Sequence, residues 1–415
     1  MKKKIISVML VLLLLFSTSI FASGAGESKS EVTKIRFYGS DAEYNRNIIA
    51  MFEAENPDIK VEIVPVDFDN AEQVIKTGIA SNNPVDVSFF WGAQIKSFVT
   101  DGMALDLTPY LTADNNAWLD TFVPAYIDAG KIDGKYYAVS YQPVIETVFI
   151  NKDLFEQYGL ELPTTVDEML EVSAEFAKHG IYGIGCWTGQ NHQLLPWTYQ
   201  IYAKNGVLED ATTGKLPLDA TPGLKEDLEI VKNFYDKGYW YPGEGALTAT
   251  KEQVQAAFYQ GKIAMLFDAA SNAGTYEQNA DFEIDVIKTP LVEEGNPYTV
   301  NVVTNALFIP ANAKHPEEAV KFIQFYTTDA AIEEIIKSGR LPSTKSMQDA
   351  FDDPVLVHLM TNTEDAIGYQ HLQNLSSEMA SYLQNDIVSS VCSGIMTIDE
   401  AVAHAEELRL KAVEK

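Results

Sequence analysis

The sequence is poor in several residues and motifs that mark common classes of protein. It has 2 cysteines in 415 residues, too few for a disulfide framework, and their spacing leaves open whether Cys186 and Cys392 pair. The 6 histidines are scattered, without an H-E-x-x-H motif, so a metal site is unsupported. The phosphate-binding motif G-x-x-x-x-G-K-[ST] and the nucleophile motif G-x-S-x-G are also missing. We therefore expect no metal, no cofactor and no catalytic residues.

Positive charge is also scarce. Lysine and arginine number 30 against 59 aspartates and glutamates, which gives a formal net charge of −29 at pH 7. Such an acidic protein is repelled by nucleic acid, by anionic membrane surfaces and by polyanionic ligands. The charge therefore favours a neutral or cationic small ligand and argues against nucleic acid as a partner.

Long hydrophobic runs are confined to the N-terminus. After it, no stretch reaches the ~18 consecutive apolar residues that a membrane-spanning helix needs. At the N-terminus, Lys2, Lys3 and Lys4 precede an apolar run over 5–16 and small residues up to Ala22. This order predicts a cleavable signal peptide over 1–22. Because no cysteine lies near the cleavage site to carry a lipid, we predict a periplasmic protein without a lipid anchor.

The sequence is rich in strand and helix patterns that alternate. Alternating and β-branched residues predict strands over 32–39, 59–66 and 84–92, with amphipathic helices over 42–56 and 71–83 between them. Such an order predicts right-handed βαβ units and a mostly parallel sheet. Ligands of these sheets bind at the carboxyl ends of the strands, where Asp41, Glu43 and Trp91 fall.

The stretch DVSFFWGAQ, over 86–94, ends a strand on a large aromatic residue instead of on turn residues. Trp91 is followed closely by Gln94, whose amide both donates and accepts hydrogen bonds. Trp187 and Trp240 also stand at the ends of predicted elements, and His192 follows the first of them. Aromatic rings stack on the C–H faces of sugars, and planar polar side chains bind hydroxyls. The pattern favours a carbohydrate site, although each tryptophan alone fits a core position equally well, and His192 fits an incidental loop position better.

Five segments in order carry a family resemblance. They are IIAMFEAENPDIKVEIVPV, IASNNPVDVSFFWGAQIKSFVTDGMALDLTPYL, VFINKDLFEQYGLELPTTVDEML, FYQGKIAMLFDAASNAG, and HPEEAVKFIQFYTT with GRLPST. In this order the chain resembles the extracellular solute-binding proteins of family 1, the sugar-binding components of ABC importers. The resemblance covers nearly the whole chain after the signal peptide.

The resemblance implies an α/β fold of two lobes, of the type II, maltose-binding-protein-like kind, with a hinge between the lobes. It places lobe 1 at 31–142 and 304–342, and lobe 2 at 143–303 and 343–415. The chain would cross the hinge near 141–144, 303–305 and 341–344. Binding of the ligand would close the two lobes around it.

The resemblance also implies the residues that reach the cleft. They are Asp41 and Glu43 after the first strand, Trp91 and Gln94 after the third, Asp268 and Asn272 in LFDAASN, Asn305 at a crossing, and Arg340 in the GRLP turn. Many relatives carry a tryptophan where this chain has Ser271, so Trp187 or Trp240 would have to stack from that wall. We hypothesise that Arg340 holds the carboxylate of Asp41 or Glu43.

The resulting prediction is a monomeric binding protein that captures a neutral mono- or oligosaccharide and delivers it to the permease of an ABC transporter, without catalysis. A polyamine or other cation is the alternative ligand, and it would require cleft carboxylates that are not paired with Arg340. A ferric site at Tyr136 and Tyr137 is disfavoured because a β-rich run would bury one ring. An exported glycan-cleaving enzyme is the alternative of another class, because a catalytic carboxylate pair is compatible with so acidic a chain. The 59 acidic residues also make chance pairs common, which weakens this alternative.

Overall fold

The computed structural model describes residues 32–414 except 69, 348–349, 351–352 and 364–365. The predicted signal peptide, 1–22, lies outside these residues. The strands are β1 (Thr33–Gly39), β2 (Ile59–Pro65), β3 (Val87–Trp91), β4 (Lys131–Ile132), β5 (Lys135–Tyr136), β6 (Ala138–Asn151), β7 (Tyr182–Gly185), β8 (Ile263–Ala269), β9 (Ile284–Ile287), β10 (Thr299–Phe308) and β11 (Ile367–Tyr369).

Helices of seven or more residues lie between and after these strands. They are α1 (Glu43–Glu55), α2 (Ala71–Ala80), α3 (Lys152–Tyr158), α4 (Val166–Lys178), α5 (Pro196–Lys204), α6 (Leu224–Asp236), α7 (Lys251–Tyr259), α8 (Ala273–Asn279), α9 (Pro316–Tyr326), α10 (Asp329–Lys337), α11 (Pro354–Thr363) and α12 (Ile398–Val413). Shorter helices span Lys96–Thr100, Thr108–Leu111, Ala113–Asn116, Pro124–Ile127, Leu208–Thr212, Ser377–Ser381 and Ile387–Cys392. In the described part of the chain, no helix combines the length and apolar character that a membrane crossing requires.

Local sequence explains where several helices begin. The hydroxyl of Thr165 accepts a hydrogen bond from the backbone N–H of Glu168, and the Glu168 carboxylate accepts one from the backbone N–H of Thr165. This capping box satisfies N–H groups that the first turn of α4 would otherwise leave unpaired. Thr397 and Glu400 repeat the arrangement at the start of α12. The α1 and α2 helices and β1 to β3 form as the sequence pattern predicts.

The sheet is mixed, so the prediction of a mostly parallel sheet is wrong at its centre. Its order is β2-β1-β3-β10-β6-β8-β7, with β9 paired to β6 and β11 to β10. The β1 strand is parallel to β2 and β3, but β10 is antiparallel to β3 and β6, and β6 to β8. Helix-linked neighbours become parallel because the chain returns in the same direction. The central strands meet partners from distant parts of the chain, which no local pattern reveals.

Two long strands join two halves of the molecule. The first residues of β6, 138–142, pair with β10 on the side of β3, whereas 146–151 pair with β8 and β9. The register of β6 against β10 shifts between Asn305 and Ala306. A third connection runs alongside, where the Ser343 hydroxyl donates to the carbonyl of Ser140 at 2.9 Å.

Each half has its own apolar core. On one side, Phe37 of β1 packs edge-on against Phe322 and Tyr326 of α9, with ring centroids 5.5 and 6.1 Å away. On the other side, the fully buried Trp197 and Trp240 belong to a core formed largely by residues 148–287 and 369–408. Because both cores are buried independently, the strands between them connect two bodies. Cys186 and Cys392 are buried free thiols, which settles the question of their pairing.

Candidate ligand-binding cleft

A cleft with a volume of about 600 Å³ lies where the two halves face each other. Its lining comes from the region of β3, from β6 and β10, and from the second half of the chain. The lining residues are Phe68, Ala71, Glu72, Phe90, Trp91, Gln94, Val144, Glu146, Gly189, Gln190, His192, Gln193, Ala269, Val303, Gln373, Ser377, Ala380, Ser381, Gln384 and Asn385. Clefts of this size bind small molecules.

One wall, which we call the aromatic wall, consists of Phe68, Phe90, Trp91 and Gln94. Trp91 is half-buried at the end of β3, and its ring packs edge-on against Phe90 at 5.3 Å. The chain turns directly after it, in the short helix Gly92–Ile95, which presents Gln94 to the cleft. A partly exposed ring beside an amide suits a ligand with both C–H and hydroxyl groups.

Gly92 is required at this turn by close packing. A Cβ atom there would lie 2.3 Å from Oγ1 of Thr304 on β10, well inside contact distance. The glycine therefore lets the end of β3 lie against β10, where Asn305 is the register partner of Trp91. This contact fixes Trp91 at the junction of the two halves.

The opposite wall, which we call the amide wall, consists of Gln190, Gln193, Gln373, Ser377, Ser381, Gln384 and Asn385. Gln384 Nε2 donates to Gln373 Oε1 at 3.0 Å, and Gln193 Nε2 donates to Gln190 Oε1 at 3.3 Å. A π-helical turn, Tyr382–Asp386, directs Gln384 and Asn385 into the cleft. The bonds between amides fix which ends donate and which accept. Such a wall binds hydroxyl groups by direction as well as by polarity.

The floor of the cleft holds a carboxylate and an imidazole. His192 Nε2 lies 3.2 Å from Glu146 Oε1. Burial by itself raises the pKa of Glu146, but the hydrogen bond and charge of His192 outweigh it, so the pKa lies below its usual value. Glu146 is therefore a carboxylate that accepts hydrogen bonds at neutral pH.

His371 lies behind this pair. Its Nδ1 accepts a hydrogen bond from the backbone N–H of Gln373, and its ring stands perpendicular to His192 at 5.3 Å. Burial and the neighbouring His192 lower the pKa of His371 to about 3, so the ring is neutral. The neutral imidazole fixes the turn that carries Gln373 into the amide wall.

The second carboxylate of the lining is also paired. Glu72 lies 2.9 Å from Lys76 one turn along α2. Among the lining residues, which all belong to the described part of the chain, none is lysine or arginine. The cleft therefore offers dipoles, hydroxyls and rings, and its two carboxylates already have basic partners.

The structure brings some of the predicted site residues to the cleft. Trp91, Gln94 and His192 line it. Asn305 stands beside them, and its amide donates to Gln142 Oε1 at 3.1 Å. Asp268 lies one residue before the lining residue Ala269.

Asp268 is a buried anchor beneath the cleft. Its carboxylate accepts hydrogen bonds from the Asn272 amide, from the Ala269 backbone N–H at 2.7 Å and from the Tyr276 hydroxyl. Burial raises the pKa of Asp268 to about 6, while these hydrogen bonds and Lys251 oppose the rise. Asp268 and Asn272 hold each other and set the shape of the loop that follows β8.

Other predicted site residues lie elsewhere. Trp240 is fully buried in the core, and its indole N–H donates to the carbonyl of Cys186 at 3.1 Å. Trp187 is 6% exposed, packs into a core and lies under Lys251, whose Nζ is 5.5 Å from the ring centroid. The expectation that one of them stacks from the second wall is wrong, because amides occupy that wall.

The expected pairing of Arg340 is also wrong. Its guanidinium donates to the hydroxyl and carbonyl of Ser338 and lies over the ring of Tyr44, 4.9 Å from the centroid. Asp41 is paired with Arg46 at 2.8 Å instead, because Asp41 lies just before α1 and Arg46 lies in the first turn of that helix. Glu43 is exposed at the start of α1.

The structure does not support a ferric site at Tyr136 and Tyr137. Tyr136 is buried away from the cleft lining and its hydroxyl donates to Asp128 Oδ1 at 2.9 Å. Both tyrosines belong to the short β5 strand region and not to the cleft.

Several residues that line the cleft were not predicted from the sequence. Glu146 had a signal, because it is a charged residue inside the apolar run of β6. Phe68 and the amides of 373–385 had none, since they come from loops and from a helix without a motif. Only the packing of distant segments brings them together.

Comparison with known sequences agrees with this architecture. A family model described as bacterial extracellular solute-binding protein matches residues 38–333. The multiple sugar-binding protein of Streptococcus mutans is 27% identical over 328 residues, which cover 75% of this chain and 75% of that protein. The melibiose/raffinose/stachyose-binding protein MelE of Bacillus subtilis is 21% identical over 356 residues, which cover 80% of this chain and 79% of that protein.

Solved structures share the fold. The GacH receptor of Streptomyces glaucescens superposes with a TM-score of 0.79 at 20% identity, over 92% of this chain and 99% of that chain. An ABC substrate-binding protein from Listeria monocytogenes, in complex with cycloalternan, gives a TM-score of 0.78 at 22% identity, over 92% and 99%. These likenesses confirm the predicted α/β, two-lobe, maltose-binding-protein-like fold. With the family model matching most of the chain, the protein belongs to the bacterial extracellular solute-binding proteins.

Proposed function

We propose that this protein captures a neutral carbohydrate and delivers it to the membrane permease of an ABC importer, without making or breaking a bond. The observation that carries the proposal is the composition of the cleft. One wall offers aromatic rings, the other offers amides and hydroxyls, and neither offers a lysine or arginine. A sugar presents C–H faces and hydroxyls, which match these two walls.

The affinity that such a cleft supplies is sufficient for transport. A dissociation constant of 1 μM corresponds to about −8 kcal/mol. One or two stacking rings and several hydrogen bonds to Glu146, His192 and the amides reach that value after the entropic cost of binding. The printed names of the sugar-binding relatives support the same ligand class.

The proposal includes the mechanism of capture. The lobes comprise 31–142 with 304–342, and 143–303 with 343–415, and they close on the ligand about three crossings. Closure is favoured because ligand contacts both walls only in the closed form. The protein is exported by the signal peptide at 1–22, works in the periplasm as a monomer, and binds no nucleic acid.

The alternative of a polyamine or other cation is less well supported. Its best argument is the pair of cleft carboxylates, Glu72 and Glu146, in an acidic protein. Both are paired, with Lys76 and His192 respectively, so a cation would have to displace or share those partners. A glycan-cleaving enzyme would need a carboxylic acid held protonated in the cleft. The pKa of Glu146 is instead lowered, and Asp268, whose pKa is raised, is buried outside the cleft lining.

A thermal-shift and calorimetric screen tests the proposal. The purified protein is titrated with mono-, di- and trisaccharides and, as the competing class, with putrescine and spermidine. We expect a saccharide to stabilise the fold by about 2.7 kcal/mol at 100 times its Kd. Stabilisation by spermidine and by no saccharide would overturn the proposal, and turnover of an oligosaccharide would replace binding by catalysis.

A further inference from the structure

The inner end of the cleft is closed and is lined by polar residues. Glu146 and Gln193 line both the cleft and a small cavity behind it, with a volume of about 10 Å³. Thr299, Asn301 and Tyr369 close that cavity. A volume of this size holds about one water molecule. A ligand that enters the cleft therefore ends at Glu146 and Gln193.

Two polar atoms at this inner end are buried and unpaired. His192 and Gln193 are each 5% exposed. Within the described residues, His192 Nδ1 and Gln193 Oε1 have no hydrogen-bond partner. Buried polar atoms are normally paired, so these two point to groups that a ligand or a water supplies. A sugar hydroxyl is such a group, since it both donates and accepts.

The outer end of the cleft is open and carries an exposed aromatic ring. Phe68 lines the cleft and is 52% exposed. The buried Phe89 contacts both Phe68 and Trp91, with ring centroids 5.5 and 5.4 Å away. Phe68 and Trp91 therefore present two separate ring surfaces along one wall. A single exposed phenylalanine is common on a protein surface, but this one continues the aromatic wall outward.

Resting on the proposed function, we infer that the ligand is an oligosaccharide of at least two units that binds with one terminal unit innermost. The terminal unit stacks on Trp91 and bonds to Glu146, His192 and Gln193. The next unit stacks on Phe68 at the mouth of the cleft. A monosaccharide would occupy the inner end and leave Phe68 uncovered. Further units would extend into solvent.

Three series of sugars of increasing length test this inference by calorimetric titration. Within each series, all sugars have the same terminal unit. The series are glucose, maltose and maltotriose; xylose, xylobiose and xylotriose; and galactose, melibiose and raffinose. In the series whose sugars bind, we expect the disaccharide to bind about tenfold more tightly than the monosaccharide. This ratio is the lower range of what stacking one more ring on an aromatic side chain contributes.

Two variants separate the two ring surfaces. Phe68→Ala should weaken the disaccharide about tenfold and leave the monosaccharide within about twofold, because only the second unit reaches Phe68. Trp91→Ala should weaken both sugars. Ile395→Ala is the matched control, since Ile395 is 79% exposed and lies outside the cleft lining, and it should change neither affinity. The urea midpoint of each variant verifies that it is folded.

The outcomes are distinct. Equal affinity for a monosaccharide and its disaccharide overturns the inference, and so does a Phe68→Ala loss that is the same for both. Either result leaves carbohydrate binding intact. If no sugar of the three series binds while spermidine does, the proposed function is wrong and the inference is wrong with it.

Discussion

The two walls of the cleft differ in how far apart in the sequence their residues lie. The aromatic wall comes from one stretch, 68–94, in which the loop before α2, strand β3 and the turn after it follow one another. The amide wall combines 190–193 with 373–385, two segments separated by most of the second half of the molecule. The aromatic wall therefore has local determinants, whereas the amide wall depends on how distant helices pack.

The walls also differ in what they contribute to binding. Ring stacking uses a C–H face of the sugar and makes no directional hydrogen bond, so the aromatic wall supplies affinity for sugars that present such a face. The amides are fixed by mutual hydrogen bonds, as in Gln373 with Gln384, so the amide wall responds to hydroxyl stereochemistry. The following predictions test this division, from the largest expected effect to the smallest.

The largest effect separates a core tryptophan from a cleft tryptophan. Trp240→Ala should lower the free energy of unfolding by about 3–5 kcal/mol, because it empties a fully buried site and removes the hydrogen bond to Cys186. Urea unfolding of the apo protein measures it. Trp91→Ala, measured in parallel, should cost much less stability. Comparable losses for the two variants would mean that Trp91 is a core residue.

The next effect concerns the anchor beneath the cleft. The pKa of Asp268 is raised from 3.8 to about 6, chiefly by burial, so the folded state holds the proton more tightly than the unfolded state. The stability from this group is complete below about pH 4 and is lost as the pH rises through about 6. Relative to Asp268→Asn, which does not titrate, the wild type should lose about 3 kcal/mol over that window.

Urea unfolding of both proteins between pH 4 and pH 7 provides the comparison, and the difference between the two curves isolates Asp268 from all other titrating groups. A difference that stays constant with pH, or that grows as the pH rises, would show that Asp268 remains a stabilised carboxylate in the folded protein.

The aromatic wall should show its effect in binding. Trp91→Ala should weaken the cognate sugar by about 1–3 kcal/mol, the range for stacking on an aromatic platform. The loss should apply to all sugars that bind, since each of them would place a C–H face on the same ring. Calorimetric titration of the folded variant measures it, and unchanged affinity would remove Trp91 from the ligand site.

The smallest effect belongs to the amide wall. Gln384→Ala removes one amide and frees its partner Gln373, which should weaken the preferred sugar by about 0.5–1.5 kcal/mol, the net value of a hydrogen bond. The ratio of affinities between epimers should fall, and it should fall further than in Trp91→Ala, because hydrogen bonds are more directional than stacking. The control is Asn374→Ala, because Asn374 bonds to Gln370 outside the cleft lining. An unchanged epimer ratio in Gln384→Ala would contradict the division between the walls.

Much of the fold was predictable because it is encoded locally. The first strands and helices follow from residue periodicity, and Trp91 and Gln94 follow from where β3 ends. His192 reached the cleft although the sequence favoured an incidental position. The expectations that failed, for Trp187, Trp240 and Arg340, depended on which distant surface each side chain would face.

The sequence by itself determined the class of elements, the family and the aromatic end of β3, since these depend on neighbours along the chain. Only the tertiary structure decided that β10 runs antiparallel beside β3 and β6, that Glu146 meets His192, and that amides and not Trp187 or Trp240 form the second wall. The physical reason is that sheet pairing and helix packing are selected by the total burial of apolar surface. No short segment contains that information, so the polar contacts that define the ligand appear only after the two halves have packed.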